Sequence, residues 1–291
     1  MSRNINTIKK SINRTSYQTM IITYVVICTL FCLLPLFITI LNSIKSNDDI
    51  IISIFSLPSN LKDLVENYSA AYNAISSFFI RSIILGLVAA FIDVLLGAIL
   101  AYVFTYKDFP LKNFLFMMFI SIMLIPSIMG MPILVPLVRD TLHLADTEFL
   151  SYIGYLLPNF AGGQVTALFL FRTFFGQQPK DIYESAKVEG ANDVMIFLRI
   201  TIPLAIPIIL FQFVGTFASI YNDYLWPSLL FDSDYTMLMP ILVEKEKYFQ
   251  EHFMNGATYA MYMFSSIPLI ATSIISMKYF ASGDFASGMK L

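Results

Sequence analysis

Few side chains in this chain are equipped for reaction chemistry, and their spacing decides what they can do. The two histidines, His143 and His252, stand in separate loops, and no His-Glu-x-x-His run places two of them on one helix face to hold a zinc ion. Cys28 and Cys32 lie one helical turn apart, a spacing open to a metal or redox pair; with no His or further Cys nearby, two small packing residues is the better reading. Gly283-Asp284-Phe285-Ala286-Ser287-Gly288-Met289-Lys290 comes nearest to a phosphate-cradling loop, but Met289 separates the second glycine from the lysine and no Ser or Thr follows it. No catalytic constellation, metal site or bound cofactor is expected.

The other polar groups point to binding and to the transfer of force. Asp93 interrupts an apolar run and shares one helix face with Gly86, Ala90, Gly97 and Ala101. A carboxylate at that depth must face other protein, be paired or be protonated, so it is either a pathway residue or a structural hydrogen-bonding group between helices. In Tyr221-Asn222-Asp223-Tyr224-Leu225-Trp226-Pro227, Asn222 and Asp223 can bond hydroxyls while Tyr221 and Trp226 offer flat apolar faces; the same residues would also suit an aromatic belt at a membrane interface. A third group, Glu184-Ser185-Ala186-Lys187-Val188-Glu189-Gly190-Ala191, is a charged stretch set between apolar ones.

These residues are positioned by membrane helices. The chain is 57% hydrophobic, 15% aromatic and only 13% charged, and its mean hydropathy of +0.71 is too high for a soluble domain. Charge-poor runs of about 20 residues are long enough to cross a bilayer as helices. Six occur, over residues 17–44, 82–106, 113–138, 149–171, 200–222 and 253–277, and their continuity argues against the alternating polarity of barrel strands. The fold class expected is therefore all-α and polytopic, one membrane domain over 1–291 with a cytoplasmic loop at 172–199 between the fourth and fifth spans. Span three, with Pro126, Gly130, Pro132 and Pro136, must be kinked or broken, either as a pathway-lining discontinuous helix or as a static kink.

Basic residues near span ends stay on the cytoplasmic side. Twelve of the 18 Lys and Arg fall at the N-terminus, in the second and fourth loops and in the tail, whereas 13 of the 20 acidic residues fall in the other loops. Both termini are thus expected in the cytoplasm, the N-terminal run is an uncleaved first span with no small-x-small site after Leu41, and the net charge of −2 gives no reason to expect nucleic acid.

On the cytoplasmic side, Pro179 suits a first helical turn, Lys180 to Val188 can form a short helix, and Gly190 ends it. Asn192 or Asp193 can then cap a second helix, Val194 to Ile200, leading into span five. The whole pattern, Glu184-Ser185-Ala186, Gly190-Ala191 and Ile200-Thr201-Ile202-Pro203-Leu204, resembles the coupling-loop motif of ABC importer permeases, Glu-Ala-Ala, three residues, Gly, then a run ending in Ile-x-Leu-Pro. Ser185 stands for the common Ala and Ile202 for the common Leu. The layout of spans, the Tyr221 to Pro227 stretch and the Phe280-x-x-Gly283 tail are similar to the carbohydrate branch, specifically the smaller maltose-type permease.

The resemblance implies a subunit of the bacterial or archaeal cytoplasmic membrane that forms half of a sugar or oligosaccharide pathway. It would pair with a homologous second permease, sit on two ATPase subunits that carry the ATP and Mg, and receive sugar from an extracytoplasmic binding protein. Glu184, Ser185, Ala186, Glu189, Gly190, Ala191 and Pro203 would couple it to the ATPases, and Asp93, Tyr221, Asn222, Asp223 and Trp226 would lie on the substrate pathway. The loop from Phe231 to His252 reads as a solvated connector, which the resemblance would have reach into the binding protein. Two alternatives share parts of this pattern: an amino-acid-type ABC permease, and an ion-coupled secondary transporter built around Asp93 and the broken third span.

Overall fold

The computed structural model describes residues 2–232 and 234–281, and every regular element among them is helical. In order these are α1 (Ser2–Ser43), α2 (Asn47–Ile52), α3 (Lys62–Tyr106), α4 (Lys112–Ile122), α5 (Met131–Pro136), α6 (Glu148–Phe175), α7 (Lys180–Val188), α8 (Asp193–Ile196), α9 (Ile202–Leu204), α10 (Ile206–Tyr221), α11 (Leu225–Leu230), α12 (Leu238–Glu251) and α13 (Asn255–Ala281). The side chains of Arg3, Lys9, Lys10, Arg14, Lys278 and Phe280, and all of Gly283 to Lys290, lie outside the described residues.

Three helical stretches, Tyr17–Ser43, Lys62–Tyr106 and Asn255–Met277, are long and apolar enough to cross a membrane on their own. Two bent pairs pass the same test together: Lys112–Ile122 with Ser127–Thr141, at 86°, and Asp193–Leu204 with Ile206–Tyr221, at 79°. The first bend follows from the prolines foreseen in span three: Pro126 adopts extended backbone at ψ 127° and Pro132 opens α5. The second lies within the run expected as span five, over 200–222. It falls at Ala205, between Pro203 and Pro207, whose missing N–H groups and fixed φ leave no continuous ladder there. The run expected as span four coincides with the continuous 28-residue α6, which is not among the stretches that pass this test; Asn159, Gln164 and Thr166 sit beside Pro158, Gly162 and Gly163 at its middle.

The chain divides into two compact units, one of residues up to Ala74 with Glu246–Phe264, the other of Ile75–Lys245 with the residues from Ser265 onward. In the first, the ends of α1 and α2 are tied down by buried polar groups. Lys45, with 0% relative exposure, donates to the carbonyls of Ser53 and Ile54, both at 3.1 Å, at the C-terminal end of α2, where cations are favoured. Asn67 on α3 donates to the Ser43 and Lys45 carbonyls at 3.2 and 2.9 Å. Gly256 on α13 is required there, since a Cβ would overlap the Asn67 amide.

The second unit is organised on the small face of α3. A Cβ on Gly97 would collide with Ala167 of α6, one on Gly163 of α6 would collide with the Asp93 carboxylate, and one on Gly86 would meet the Phe217 ring of α10 at 3.0 Å. Asp93 facing Gly163 and Gly97 facing Ala167 advance by one turn together, so α3 and α6 run in the same direction. At one end of this pair Arg81 donates to the Thr236 carbonyl at 3.0 Å and to Glu148 at 3.1 Å. At the other, the Tyr106 hydroxyl lies 3.0 Å from the Phe175 carbonyl. Arg81 and Tyr106 are about 37 Å apart along the helix at 1.5 Å per residue, which exceeds the hydrocarbon core of a bilayer, about 30 Å.

One expectation fails. The connector over 231–252 is largely helical, as α12, with Leu238, Ile241, Leu242 and Phe249 buried; the 3- and 4-residue spacing that produces this face was masked by four intervening Glu and Lys.

Because even a Cβ at Gly97 would collide with Ala167, Gly97→Val should lower the thermal midpoint of the purified protein and its yield in membranes, by the roughly 1–3 kcal/mol of an overpacked core. Gly215→Ala, where the added Cβ meets nothing within 4 Å, should leave both unchanged or raise them.

Candidate functional site

Two places in the second unit gather the candidate residues. The first is α7 and its exit. Lys180 to Val188 is helical as the sequence predicts, with Asp181 in the first turn and Lys187 in the last, the arrangement the helix dipole favours. Its C-terminus is closed by two bonds: the Gly190 N–H to the Lys187 carbonyl at 3.0 Å, and the Ala191 N–H to the Ala186 carbonyl at 2.9 Å. Together they form a Schellman motif, whose penultimate residue must be left-handed; Gly190 has φ +84°. Ala186 and Ala191, the residues flanking this turn, both pack on the same apolar cluster. The spacing Glu-x-Ala-x-x-x-Gly-Ala is therefore the spacing of a helix end.

Ser185, where Ala is common, donates to the Asp181 carbonyl at 2.7 Å, so its hydroxyl is satisfied within the helix. Glu184, Ser185 and Glu189 are exposed, and Val188 is exposed to 89%. After the turn, Asn192 caps α8 by accepting the Met195 N–H at 2.8 Å. The second helix begins one residue earlier than expected, at Asp193, and passes into a π-helical turn over Phe197–Thr201. Pro203 is exposed on α9, two residues before the bend at Ala205.

What holds this loop to the membrane helices was not foreseen. Tyr183, the buried residue of α7, stacks on Tyr106 at the end of α3 with ring centroids 4.3 Å apart, and both hydroxyls meet the Oε1 of Gln178. Lys107 pairs with Asp193 at 2.5 Å, and the Tyr102 hydroxyl lies 3.4 Å from the same carboxylate. The Lys107 ammonium, hydrogen-bonded to it, holds the Asp193 carboxyl below its usual range. The last turn of α3 is thus clamped to both helices of the loop. An aromatic every four residues along α3, at Tyr102 and Tyr106, was the available signal, but such a stripe reads first as core.

The second place is a cleft of about 870 Å³ where the broken third span, the middle of α6 and the end of α10 meet. Pro126, Ser127 and Gly130 line it from the bend, Asn159, Gly162, Gly163 and Thr166 from α6, and Ser219, Asp223 and Trp226 from the fifth span and α11. Asp223 is held by the Tyr155 hydroxyl, which donates to its Oδ2 at 3.0 Å, and by the Trp226 N–H, 3.4 Å from its Oδ1. The Trp226 indole donates to the Tyr155 carbonyl at 3.2 Å.

Of the five residues expected on a pathway, only Asp223 and Trp226 line the cleft. Tyr221 is buried and donates to the Ser265 carbonyl at 2.7 Å; exposed Asn222 turns back to the Ala218 carbonyl at 2.9 Å. Asp93 is 2% exposed, against the face of Gly163, and its Oδ1 has no hydrogen-bond partner among the described residues. Asn159, Thr166, Ser127 and Ser219 were missed, since isolated polar residues in apolar spans carry no periodic signal. Among the described residues no group of three His, Cys, Asp or Glu could hold a metal ion, and Cys28 and Cys32 are free and exposed on α1.

Several known proteins are similar to this chain. The arabinooligosaccharides transport system permease protein AraQ of Bacillus subtilis (strain 168) is 26% identical over 284 residues, covering 94% of this chain and 96% of AraQ. The diacetylchitobiose uptake system permease protein NgcG of Streptomyces coelicolor (strain ATCC BAA-471 / A3(2) / M145) is 28% identical over 212 residues, 70% of this chain and 66% of NgcG. The crystal structure of a bacterial ABC transporter involved in the import of the acidic polysaccharide alginate contains a chain with the same fold, at a TM-score of 0.72 and 21% identity, with 91% of this chain and 96% of that one covered. The family model described as binding-protein-dependent transport system inner membrane component matches residues 82–283, well over half of the chain. The protein belongs to that family of transporter membrane subunits.

Proposed function

We propose that the chain is one permease subunit of an ATP-driven importer that takes up a sugar or oligosaccharide delivered by a binding protein, and that 1–291 is a single transmembrane domain. It crosses the membrane six times with both termini in the cytoplasm, pairs with a second permease, and receives the work of ATP hydrolysis from two ATPase subunits through α7. The permeases for arabinooligosaccharides and diacetylchitobiose among its relatives support a saccharide over an amino acid. The family description, binding-protein-dependent transport, speaks against an ion-coupled carrier.

The observation that carries the coupling role is the double attachment of the 180–197 loop. Its exposed side, with Glu184, Glu189 and Val188, is free to meet another protein. Its inner side is locked to the end of α3 by the Tyr183–Tyr106 stack and the Lys107–Asp193 pair. A push on α7 therefore reaches α3 directly, and reaches the bent fifth span through the closed Gly190 turn and α8. In the cleft, Asp223 and Trp226 would contact the passing sugar; Asp93, behind Gly163, would set how closely α3 and α6 approach during the cycle.

Gly190→Val should strain the turn by about 1–2 kcal/mol, the cost of a left-handed side-chain-bearing residue, and Glu184→Ala should remove a contact without disturbing the fold. In the complex with its ATPases and binding protein, both are expected to reduce substrate-stimulated ATPase activity and uptake at least tenfold while membrane abundance is kept by Glu184→Ala. Uptake at parental rate in Glu184→Ala, with the ATPases still bound, would remove the coupling role.

The Asp193 carboxyl is depressed in the folded protein, so its pairing contributes above the ordinary carboxylate range, about pH 4, and is lost only as pH falls through the lowered value. ATPase coupling should accordingly show no titration from this pair between pH 5 and 8. Lys107→Gln should cost at most about 1 kcal/mol of thermal stability, a half-exposed pair being screened, with the difference from the parent shrinking in high salt.

A further inference from the structure

The residues that line the cleft give it a definite charge character. Its polar lining consists of the hydroxyls of Ser127, Thr166 and Ser219, the Asn159 amide and the Asp223 carboxylate, with Trp226 beside them. No Lys, Arg or His is among the lining residues. Basic groups carried by the lining elements are engaged elsewhere: Arg139 donates to the Leu229 carbonyl at 3.0 Å, Arg172 lies over the Phe116 ring at 3.8 Å, and Lys112 donates to the Lys107 carbonyl at 2.6 Å. The Asn159 amide nitrogen donates to the Tyr155 carbonyl at 2.9 Å, which leaves its oxygen as an acceptor. Asp223 accepts from the Tyr155 hydroxyl and from the Trp226 and Leu225 N–H groups, which still leaves lone-pair capacity on a carboxylate of about four acceptor sites for an incoming donor.

We infer that this half of the pathway is built for uncharged saccharides and works against anionic ones, with Asp223 as the group that discriminates. The inference rests on the cleft being part of the translocation pathway, as proposed above. A neutral sugar presents hydroxyls, each of which can donate to the free lone pairs of Asp223 or exchange bonds with Ser127, Thr166 and Ser219, while its C–H face packs on an indole. A uronate or phosphorylated sugar would bring a second negative charge to a fixed one in a partly enclosed site. Coulomb repulsion there is several-fold stronger than in open water, and no cation in the lining offsets it. Rejection of the wrong class thus comes from one placed like charge rather than from shape.

The test reads the local potential directly. In the assembled transporter with Cys28→Ser and Cys32→Ser, a single Thr166→Cys or Ser219→Cys is reacted with the cationic ethyltrimethylammonium and the anionic ethylsulfonate methanethiosulfonates, each rate divided by its rate with a free thiol in solution. The corrected rate should favour the cation by about tenfold, and Asp223→Asn should bring the ratio close to one. The rates should also change severalfold when ATP and vanadate are added. Thiols that react, respond to nucleotide and show no cation preference would overturn the charge inference while leaving the pathway intact. Thiols that never react, or whose rates ignore nucleotide, would overturn the pathway reading and the inference with it. A cation preference that survives Asp223→Asn would take the discriminating role away from Asp223.

Discussion

The close approach of α3 and α6 is the constraint on which the larger of the two units depends. Two helices can lie this near only where one of each facing pair is glycine, and the two contacts, Asp93 on Gly163 and Gly97 on Ala167, also fix the register. Between membrane helices there is no water to expel, so association depends on close packing and on hydrogen bonds rather than on apolar burial. Small residues let backbones meet; one misplaced methyl group separates them. From this pair the other features take their positions: Arg81, Glu148 and Thr236 gather at one end, the loop that carries α7 at the other, and the cleft opens beside the middle of α6.

The breaks in spans three and five obey a second requirement, that main-chain groups at membrane depth find partners inside the protein. Around the first break the donors of Met123, Leu124 and Ile125 turn to carbonyls three residues back, at 3.1 to 3.2 Å, and Met129 bonds the Pro126 carbonyl at 3.0 Å. At the second, Ala205 bonds the carbonyls of Thr201 and Ile202, at 3.1 and 3.0 Å. Proline removes the donor that would otherwise be stranded. The bends are thus compatible with an apolar setting, and the first of them lines the cleft.

How much of this could be read from the chain differs by the kind of signal. The helix Lys180 to Val188 was legible to the residue, because Pro179 and Gly190 are punctuation with a direct backbone meaning, and α7 with its left-handed glycine follows that reading. The proline-dense third span was legible as broken, though the angle was not. The small face of α3 was also evident, since its spacing is local. Hidden were the bend at Ala205, the helix over 238–251 and the polar groups of α6. The bend needs two prolines four residues apart to be read together. The helix carries charges on three sides, and Asn159 and Thr166 gain meaning only beside Ser127 and Asp223, which are distant in sequence. Asp223 and Trp226 were singled out for their chemistry, and their neighbours Tyr221 and Asn222, equally suited in type, are directed elsewhere by the helical rotation at the end of α10.

The bend at Pro126 also bears on how such a chain is made. The α4 segment has 11 residues, about 16 Å of helix, roughly half the thickness a membrane helix must cover. Emerging from the ribosome, it is no complete hydrophobic span, and its partners in α6 have yet to be synthesised. Only together with the segment beyond the bend, Ser127–Thr141, does it reach the length and apolarity of a crossing. The segment that shapes the cleft thus depends both on its own second half and on the later α6, against which α4 packs.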